Sequence, residues 1–273
     1  MRLGRIPYVN CYPVYAAMDR GVVACPATVV SGTPAELNDR LADGRLDVSV
    51  VSAVAYAQQG TAYELLPDLA ISSDGPVRSV LLFSRRPPEE LGGTRVLVST
   101  SSRTSVLLLD LLARDRWGVA FETAQARAEP GDLDLLAPVP HEAVLVIGDA
   151  ALLLGARHTY PFVTDLGEAW KAWTGLPFVF AVWAARRDAD GAAVRDVHRA
   201  LLASRTWGLA HLDGLAAQAA AATGVDRAAC AAYLSGLDYG LSYRHLAGLT
   251  DFLRRLAARG VVPDGTLAFL GAA

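Results

Sequence analysis

Small hydroxyl side chains separate a short strand from a helix near the middle of the chain. Residues 96–98 are apolar, residues 99–105 read STSSRTS, and apolar residues at helical spacing resume over 106–112. A strand, turn and helix in this order present unpaired backbone N–H groups and the positive end of a helix dipole, which together favour a carboxylate or a phosphate. An ordinary N-cap needs one such side chain, so we interpret the turn as an anion site. Its candidate ligand contacts are Ser101, Ser102, Thr104 and Ser105.

Polar residues also follow three other predicted strands, which cover residues 2–8, 47–51 and 143–147. Ligands of α/β proteins lie at the carboxyl ends of strands, so these residues join the candidate site. They are Tyr8 at the end of the first strand and Asn10 and Cys11 after it, Ser52 after the second, and Gly148 and Asp149 after the third. Asn10 has two donors and an acceptor, but it would serve equally well as a turn residue. Asp149 is more typical of a helix cap than of a ligand contact.

A further hydroxyl cluster lies in residues 71–76 (ISSDGP), which carry a turn signal just before the apolar run 77–84. Ser72, Ser73 and Asp74 are therefore added to the candidate substrate contacts.

The composition of the 273-residue chain argues against several functional classes. A net charge of −3 without a basic block does not favour nucleic acid or a membrane surface. Lys171 is the single lysine, which makes lysine-based catalysis improbable. Three scattered cysteines and five histidines without metal-binding spacing predict no disulfide framework, metal site or cofactor. The apolar run 176–185 is too short to span a bilayer, and the first residues lack a signal segment, so we expect a cytoplasmic protein.

Two similar apolar runs, residues 80–86 and 178–187, each end in paired arginines and bracket about a hundred residues, the size of one domain. We interpret them as two crossover strands joining a discontinuous lobe (1–84 plus 185–273) to an inserted lobe (85–184). The chain beyond Arg187 is predicted to be helical over 192–211, 215–222, 227–234 and 243–259. The expected fold is α/β, with two lobes, an interlobe cleft and a helical C-terminal segment, as in type 2 periplasmic-binding-protein-like folds.

Four segments resemble the chorismate dehydratase family, which opens the futalosine route to menaquinone. They are 5–15 (RIPYVNCYPVY), 32–57 (GTPAELNDRLADGRLDVSVVSAVAYA), 67–87 (PDLAISSDGPVRSVLLFSRRP) and 165–183 (DLGEAWKAWTGLPFVFAVW). The resemblance implies a cofactor-independent carbon–oxygen lyase that removes water from chorismate, a small dicarboxylate. It also implies that Asn10 is the catalytic loop asparagine. The sequence offers no convincing general base, so the enolpyruvyl carboxylate of chorismate, positioned by Asn10, is expected to take the proton.

Two alternatives remain open at this stage. The sister enzyme, 1,4-dihydroxy-6-naphthoate synthase, is expected to carry a catalytic histidine where residues 146–149 read VIGD, and the nearest histidine, His141, lies before that strand. A non-catalytic receptor for small anions would share the fold, but receptors normally need an export signal. A homodimer is compatible with the sequence, which does not fix the oligomeric state.

Overall fold

Two five-stranded mixed sheets, each flanked by helices, form the framework of the computed structural model, which describes residues 1–263 and 265–271. The strands of the first sheet, in pairing order, are β2 (Thr28–Ser31), β1 (Arg2–Arg5), β3 (Val48–Ser52), β10 (Phe178–Arg186) and β4 (Tyr63–Ser73). Those of the second are β7 (Glu122–Ala126), β6 (Arg95–Ser99), β8 (Ala143–Ile147), β5 (Val80–Ser84) and β9 (Phe162–Asp165). We call the halves built on these sheets lobe 1 and lobe 2.

Helices connect these strands and complete the C-terminal part of the chain. In the first part of the chain they are α1 (Tyr12–Asp19), α2 (Pro34–Ala42), α3 (Ala53–Gln59), α4 (Arg103–Leu111), α5 (Gly148–Arg157) and α6 (Leu166–Thr174). The last four are α7 (Gly191–Leu209), α8 (Leu212–Thr223), α9 (Arg227–Gly236) and α10 (Tyr243–Ala257). These four confirm the predicted helical segment, with ends that differ by at most three residues. Among the described residues, no helix combines the length and apolarity needed to cross a membrane.

The central strands are largely buried because both faces of each sheet are covered. In β3 and β8 the first four residues are all buried, as expected of parallel strands between helical layers. In β1, β3, β6 and β8 the chain leaves the strand at the same edge of its sheet, because the pairs β1–β3 and β6–β8 are parallel. Residues from the loops that follow these four strands line one common cavity, so the loops of the two sheets face each other between the lobes.

The division between the lobes differs from the predicted boundaries. β5 was expected in lobe 1 but pairs with β8 and β9, and most of β10 was expected in lobe 2 but pairs with β3 and β4. The chain therefore passes between the sheets before β5 and again between β9 and β10. An apolar run indicates a buried strand, but its composition does not reveal which sheet accepts it.

Candidate functional site

A cavity with an empty volume of about 630 Å³, partly open to solvent, lies between the two lobes. Every described residue that lines it is uncharged. Its apolar wall includes Ile6, Ile71, Ile147 and Phe180. Its polar wall comes from the predicted loops and contains Tyr8, Asn10, Cys11, Ser52, Ser101, Ser102, Thr104, Ser105 and Gly148. The structure thus brings together most of the residues that the sequence singled out.

Two serines at the polar wall act as helix caps and as cavity residues at once. The Ser52 Oγ accepts a hydrogen bond from the backbone N–H of Ala55 at 3.1 Å, at the start of α3. The Ser102 Oγ accepts one from the N–H of Ser105 at 3.1 Å, at the start of α4. A capping hydroxyl uses its oxygen as acceptor and keeps its O–H free to donate. The capping and ligand interpretations of these serines are therefore compatible.

Thr104 joins the two lobes at this wall. Its Oγ1, at the start of α4 in lobe 2, accepts a hydrogen bond from the backbone N–H of Val54 in α3 of lobe 1 at 3.1 Å. Because Thr104 and Val54 are both buried, this bond satisfies a helix N–H that solvent cannot reach. The N-terminal ends of α3 and α4 are thereby held next to each other and beside the cavity.

Asn10 lies in a single 3₁₀ turn, Val9–Cys11, between β1 and α1. Its Oδ1 is buried and has no hydrogen-bond partner within the described part of the chain. Its side chain also lies near the buried hydroxyl of Tyr233, whose pKa it lowers slightly against the larger effect of burial. A buried acceptor without a partner costs about 1–3 kcal/mol and calls for an explanation such as an absent ligand. At the cavity wall, this oxygen is placed to accept a hydrogen bond from a bound molecule.

Cys11 follows Asn10 at the same wall and is buried. Burial raises the pKa of its thiol to about 12. The thiol is therefore neutral near pH 7, and a thiolate nucleophile at this position is not favoured.

Asp149 lies beside the cavity but is not among its lining residues. It occupies the first turn of α5, and its Oδ1 accepts a hydrogen bond from the backbone N–H of Val9 at 3.1 Å. Burial, and to a lesser extent the charge of Glu129, raises the pKa of this carboxyl to about 6, although the bond from Val9 works in the opposite direction. The role observed for Asp149 is neither the predicted cap nor a cavity contact: it fixes the residue before Asn10 to lobe 2.

Gly148 packs directly against the ring of Tyr8. Its φ of +61° lies in the left-handed region, and a Cβ at this position would stand 2.9 Å from Cδ2 of Tyr8. Glycine is therefore required here both by the backbone conformation and by the close approach of the two lobes.

Ser72, Ser73 and Asp74 do not line the cavity, in contrast to the prediction. Ser72 and Ser73 are the last residues of β4, not of a turn, and their hydroxyls donate to the backbone carbonyl oxygens of Asp238 and Gly75 at 3.1 and 2.9 Å. Asp74 pairs with Lys171, which lowers the pKa of the carboxyl, and lies 3.4 Å from Arg244. These partners hold all three side chains in structural contacts.

Two polar residues of the site, Ser79 and Glu129, were not predicted from the sequence. Ser79 lies just before β5, lines the cavity and accepts a hydrogen bond from the hydroxyl of Tyr233 at 2.9 Å. Glu129 precedes a 3₁₀ helix (Pro130–Leu135), and its carboxylate accepts hydrogen bonds from Tyr8 and Ser101. Neither residue belongs to a motif: Ser79 lies within the apolar run 77–84, and Glu129 lies in an irregular loop.

His141 lies outside this arrangement, and the described residues contain no cluster of metal ligands. The ring nitrogens of His141 contact the carbonyl oxygen of Val139 at 2.6 Å and the hydroxyl of Tyr160 at 2.7 Å, and His141 does not line the cavity. Within residues 1–263 and 265–271, no group of three or more His, Cys, Asp and Glu residues could hold a metal ion.

Comparison with known sequences identifies relatives over most of the chain. Residues 1–258 match the sequence model of a family described as menaquinone biosynthesis. The chain is 34% identical over 244 residues to a chorismate dehydratase of Thermus thermophilus, a match that covers 84% of this chain and 86% of the relative. It is 32% identical over 221 residues to a 1,4-dihydroxy-6-naphthoate synthase of the same organism, covering 77% and 75% of the two chains.

Comparison with solved structures concerns the fold alone, because the sequence identities are low. A protein from Archaeoglobus fulgidus superposes with a TM-score of 0.78 at 20% identity, covering 96% of this chain and 98% of that one. A Candida albicans protein, described as exhibiting the generic periplasmic binding protein structural fold, superposes with a TM-score of 0.68 at 11% identity, covering 100% and 98%. The predicted α/β fold of the periplasmic-binding-protein type is confirmed.

Proposed function

Because the chain belongs to the menaquinone biosynthesis family, we propose that it is a chorismate dehydratase that converts chorismate to 3-[(1-carboxyvinyl)oxy]benzoate and water. The observation that carries the proposal is the interlobe cavity, where hydroxyl and amide groups converge and the lining residues in the described part of the chain are uncharged. Chorismate bears two carboxylates, and helix N-termini with hydroxyl donors are suited to hold such groups. The 34% identical relative from Thermus thermophilus carries the name of this activity.

The proposed reaction begins with loss of the ring proton next to the enolpyruvyl ether. This C–H is vinylogous to the ring carboxylate, so its electron pair delocalises into that carboxylate. The negative charge built there is stabilised by donors fixed in place before the reaction, for which the hydroxyls and N–H groups at the start of α4 are suited. The bond from the neighbouring ring carbon to its hydroxyl oxygen then breaks. The departing hydroxide takes up a proton and becomes water, and the ring becomes aromatic.

Asn10 is proposed to orient the group that takes the proton by donating a hydrogen bond to it from the NH2 group of its side chain. Among the described residues that line the cavity there is no carboxylate or histidine, and the thiol of Cys11 is held neutral. The enolpyruvyl carboxylate of chorismate lies within the same molecule as the proton, and a base held in this way needs correct orientation rather than an unusual pKa. Cofactor independence and the class of carbon–oxygen lyase follow from this scheme and are part of the proposal. The other lining residues, including Ser52 and the 101–105 turn, are proposed substrate contacts.

The sister activity remains the second candidate because of the 32% identical naphthoate synthase from Thermus thermophilus. In this chain the residues after β8 are Gly148 and Asp149, and His141 is bound elsewhere by Val139 and Tyr160. The position at which the sister enzyme is expected to carry its base is thus filled by glycine and aspartate, which favours the dehydratase.

In the test, purified protein is incubated in separate reactions with chorismate and with the cyclic nucleoside-derived substrate of the sister enzyme. Mass spectrometry follows each compound. Dehydration of chorismate without conversion of the second compound supports the proposal. Conversion of only the second compound would assign the sister activity to this protein. Stabilisation of the protein by chorismate without turnover would instead indicate a receptor.

A further inference from the structure

Glu129 occupies two hydroxyl donors that the two lobes bring together at the cavity wall. The hydroxyl of Tyr8, from lobe 1, donates to Oε2 and Oε1 of Glu129 at 3.3 and 3.4 Å. The hydroxyl of Ser101, in the turn before α4 of lobe 2, donates to Oε1 at 2.5 Å. Both donors line the cavity, whereas Glu129 does not.

The charge distribution makes this contact unusual for a site that binds anions. The lining is uncharged over residues 1–263 and 265–271. The carboxylate of Glu129 nevertheless lies next to two lining residues, and its charge acts on the nearby carboxyl of Asp149. An anionic ligand that used the same hydroxyls would meet Glu129 at hydrogen-bond distance. Two carboxylates that share one pair of donors repel each other, so Glu129 and a ligand carboxylate exclude one another.

We infer that the hydroxyls of Tyr8 and Ser101 form a carboxylate subsite that the side chain of Glu129 fills in the empty protein and leaves when substrate binds. Glu129 is therefore a specificity residue: it rejects ligands that offer no carboxylate at this point, because only a carboxylate replaces the hydrogen bonds that are given up. The identity of the substrate as chorismate rests on the proposed function, but the ligand class at this subsite does not.

Glu129→Gln tests the subsite with isophthalate, a rigid aromatic dicarboxylate that cannot be dehydrated. The glutamine is neutral and holds the two hydroxyls less strongly, so isophthalate displaces it more easily. Since hydrogen bonds to a charged group are worth more than neutral ones, we expect isothermal titration calorimetry to give a dissociation constant about 10-fold lower than for the wild type. Glu129→Ala is expected to change the affinity in the same direction.

Glu122→Gln is the matched control. Glu122 is an exposed residue of β7 in the same lobe, and its replacement removes the same charge without touching the two hydroxyls. Its affinity for isophthalate should equal that of the wild type. Equal tightening by Glu122→Gln and Glu129→Gln would mean that net charge alone governs binding and would overturn the subsite.

Tyr8→Phe then locates the effect. If Glu129 competes for the Tyr8 hydroxyl, the gain from Glu129→Gln should shrink to less than about threefold in the Tyr8→Phe background, as expected for coupled residues. An undiminished gain, weaker binding by Glu129→Gln, or no isophthalate binding by any variant would overturn the inference. A wild-type protein that binds isophthalate in the predicted pattern but leaves chorismate unchanged would refute the proposed function and leave the subsite standing.

Discussion

Asn10→Ala should separate the activity of this protein from its stability. The substitution removes a half-buried side chain whose Oδ1 is buried without a partner within the described part of the chain. Loss of the packing contacts of this side chain destabilises the fold by about 1 kcal/mol. Removal of the unpaired acceptor offsets it, because such a group costs about 1–3 kcal/mol in the folded state.

The net change in the free energy of unfolding should therefore lie within about 1 kcal/mol, equivalent to a shift of the melting temperature of roughly 2–4 °C for a chain near this size. Turnover should change far more. Loss of one fixed group that acts on the reacting atoms lowers kcat by about 10²–10³-fold. The assay measures kcat with chorismate and the thermal midpoint on the same protein preparations.

Asn38→Ala provides the contrast. Asn38 is also buried, but its Oδ1 accepts a hydrogen bond from the backbone N–H of Ser52 at 3.3 Å. Its loss orphans that N–H and should lower the free energy of unfolding by about 1–3 kcal/mol, more than Asn10→Ala does. The contradicting result has two parts: Asn10→Ala lowers the free energy of unfolding as much as Asn38→Ala does, and its activity falls only as far as the fraction of folded protein falls. Asn10 would then be a structural turn residue, and the catalytic assignment would be refuted.

Two further predictions concern the contacts beside the cavity. The pKa of Asp149 is raised to about 6 in the folded protein, so the folded state binds a proton more tightly than the unfolded state. The free energy of unfolding should therefore fall by up to about 3 kcal/mol as the pH rises from about 4 to about 6. Urea titrations should show a smaller fall in Asp149→Asn than in the exposed control Asp43→Asn, and equal slopes would contradict the assignment. Thr104→Val removes the acceptor for the Val54 N–H and should lower the free energy of unfolding by about 1–2 kcal/mol, whereas Thr104→Ser, which keeps the hydroxyl, should lose less than half of that.

The polar wall of the cavity could be predicted because its signals are local. A strand followed by hydroxyl residues and a helix specifies a helix N-terminus, and parallel strands place such ends at one edge of a sheet. The turn before α4, Ser52 and Asn10 were found in this way and line the cavity together. The same local rule failed for Ser72 and Ser73, since a hydroxyl cluster before a Gly-Pro turn also fits the end of a long strand.

The remaining features depend on contacts between distant parts of the chain. Glu129 meets Tyr8 across 121 positions, and Asp149 meets Val9 across 140 positions. No periodicity or spacing encodes such pairs. The predicted lobe boundaries were wrong for a similar reason. β5 and β10 have similar sequences, and only pairing with other strands assigns each to its sheet.

The most direct test of dehydration by the interlobe cavity is product formation from chorismate by the purified protein, with a chelator present and no cofactor added. We predict stoichiometric conversion to 3-[(1-carboxyvinyl)oxy]benzoate, with loss of one water per molecule and a rate that the chelator does not change. Chorismate that stays intact at high protein concentration would contradict the proposed function.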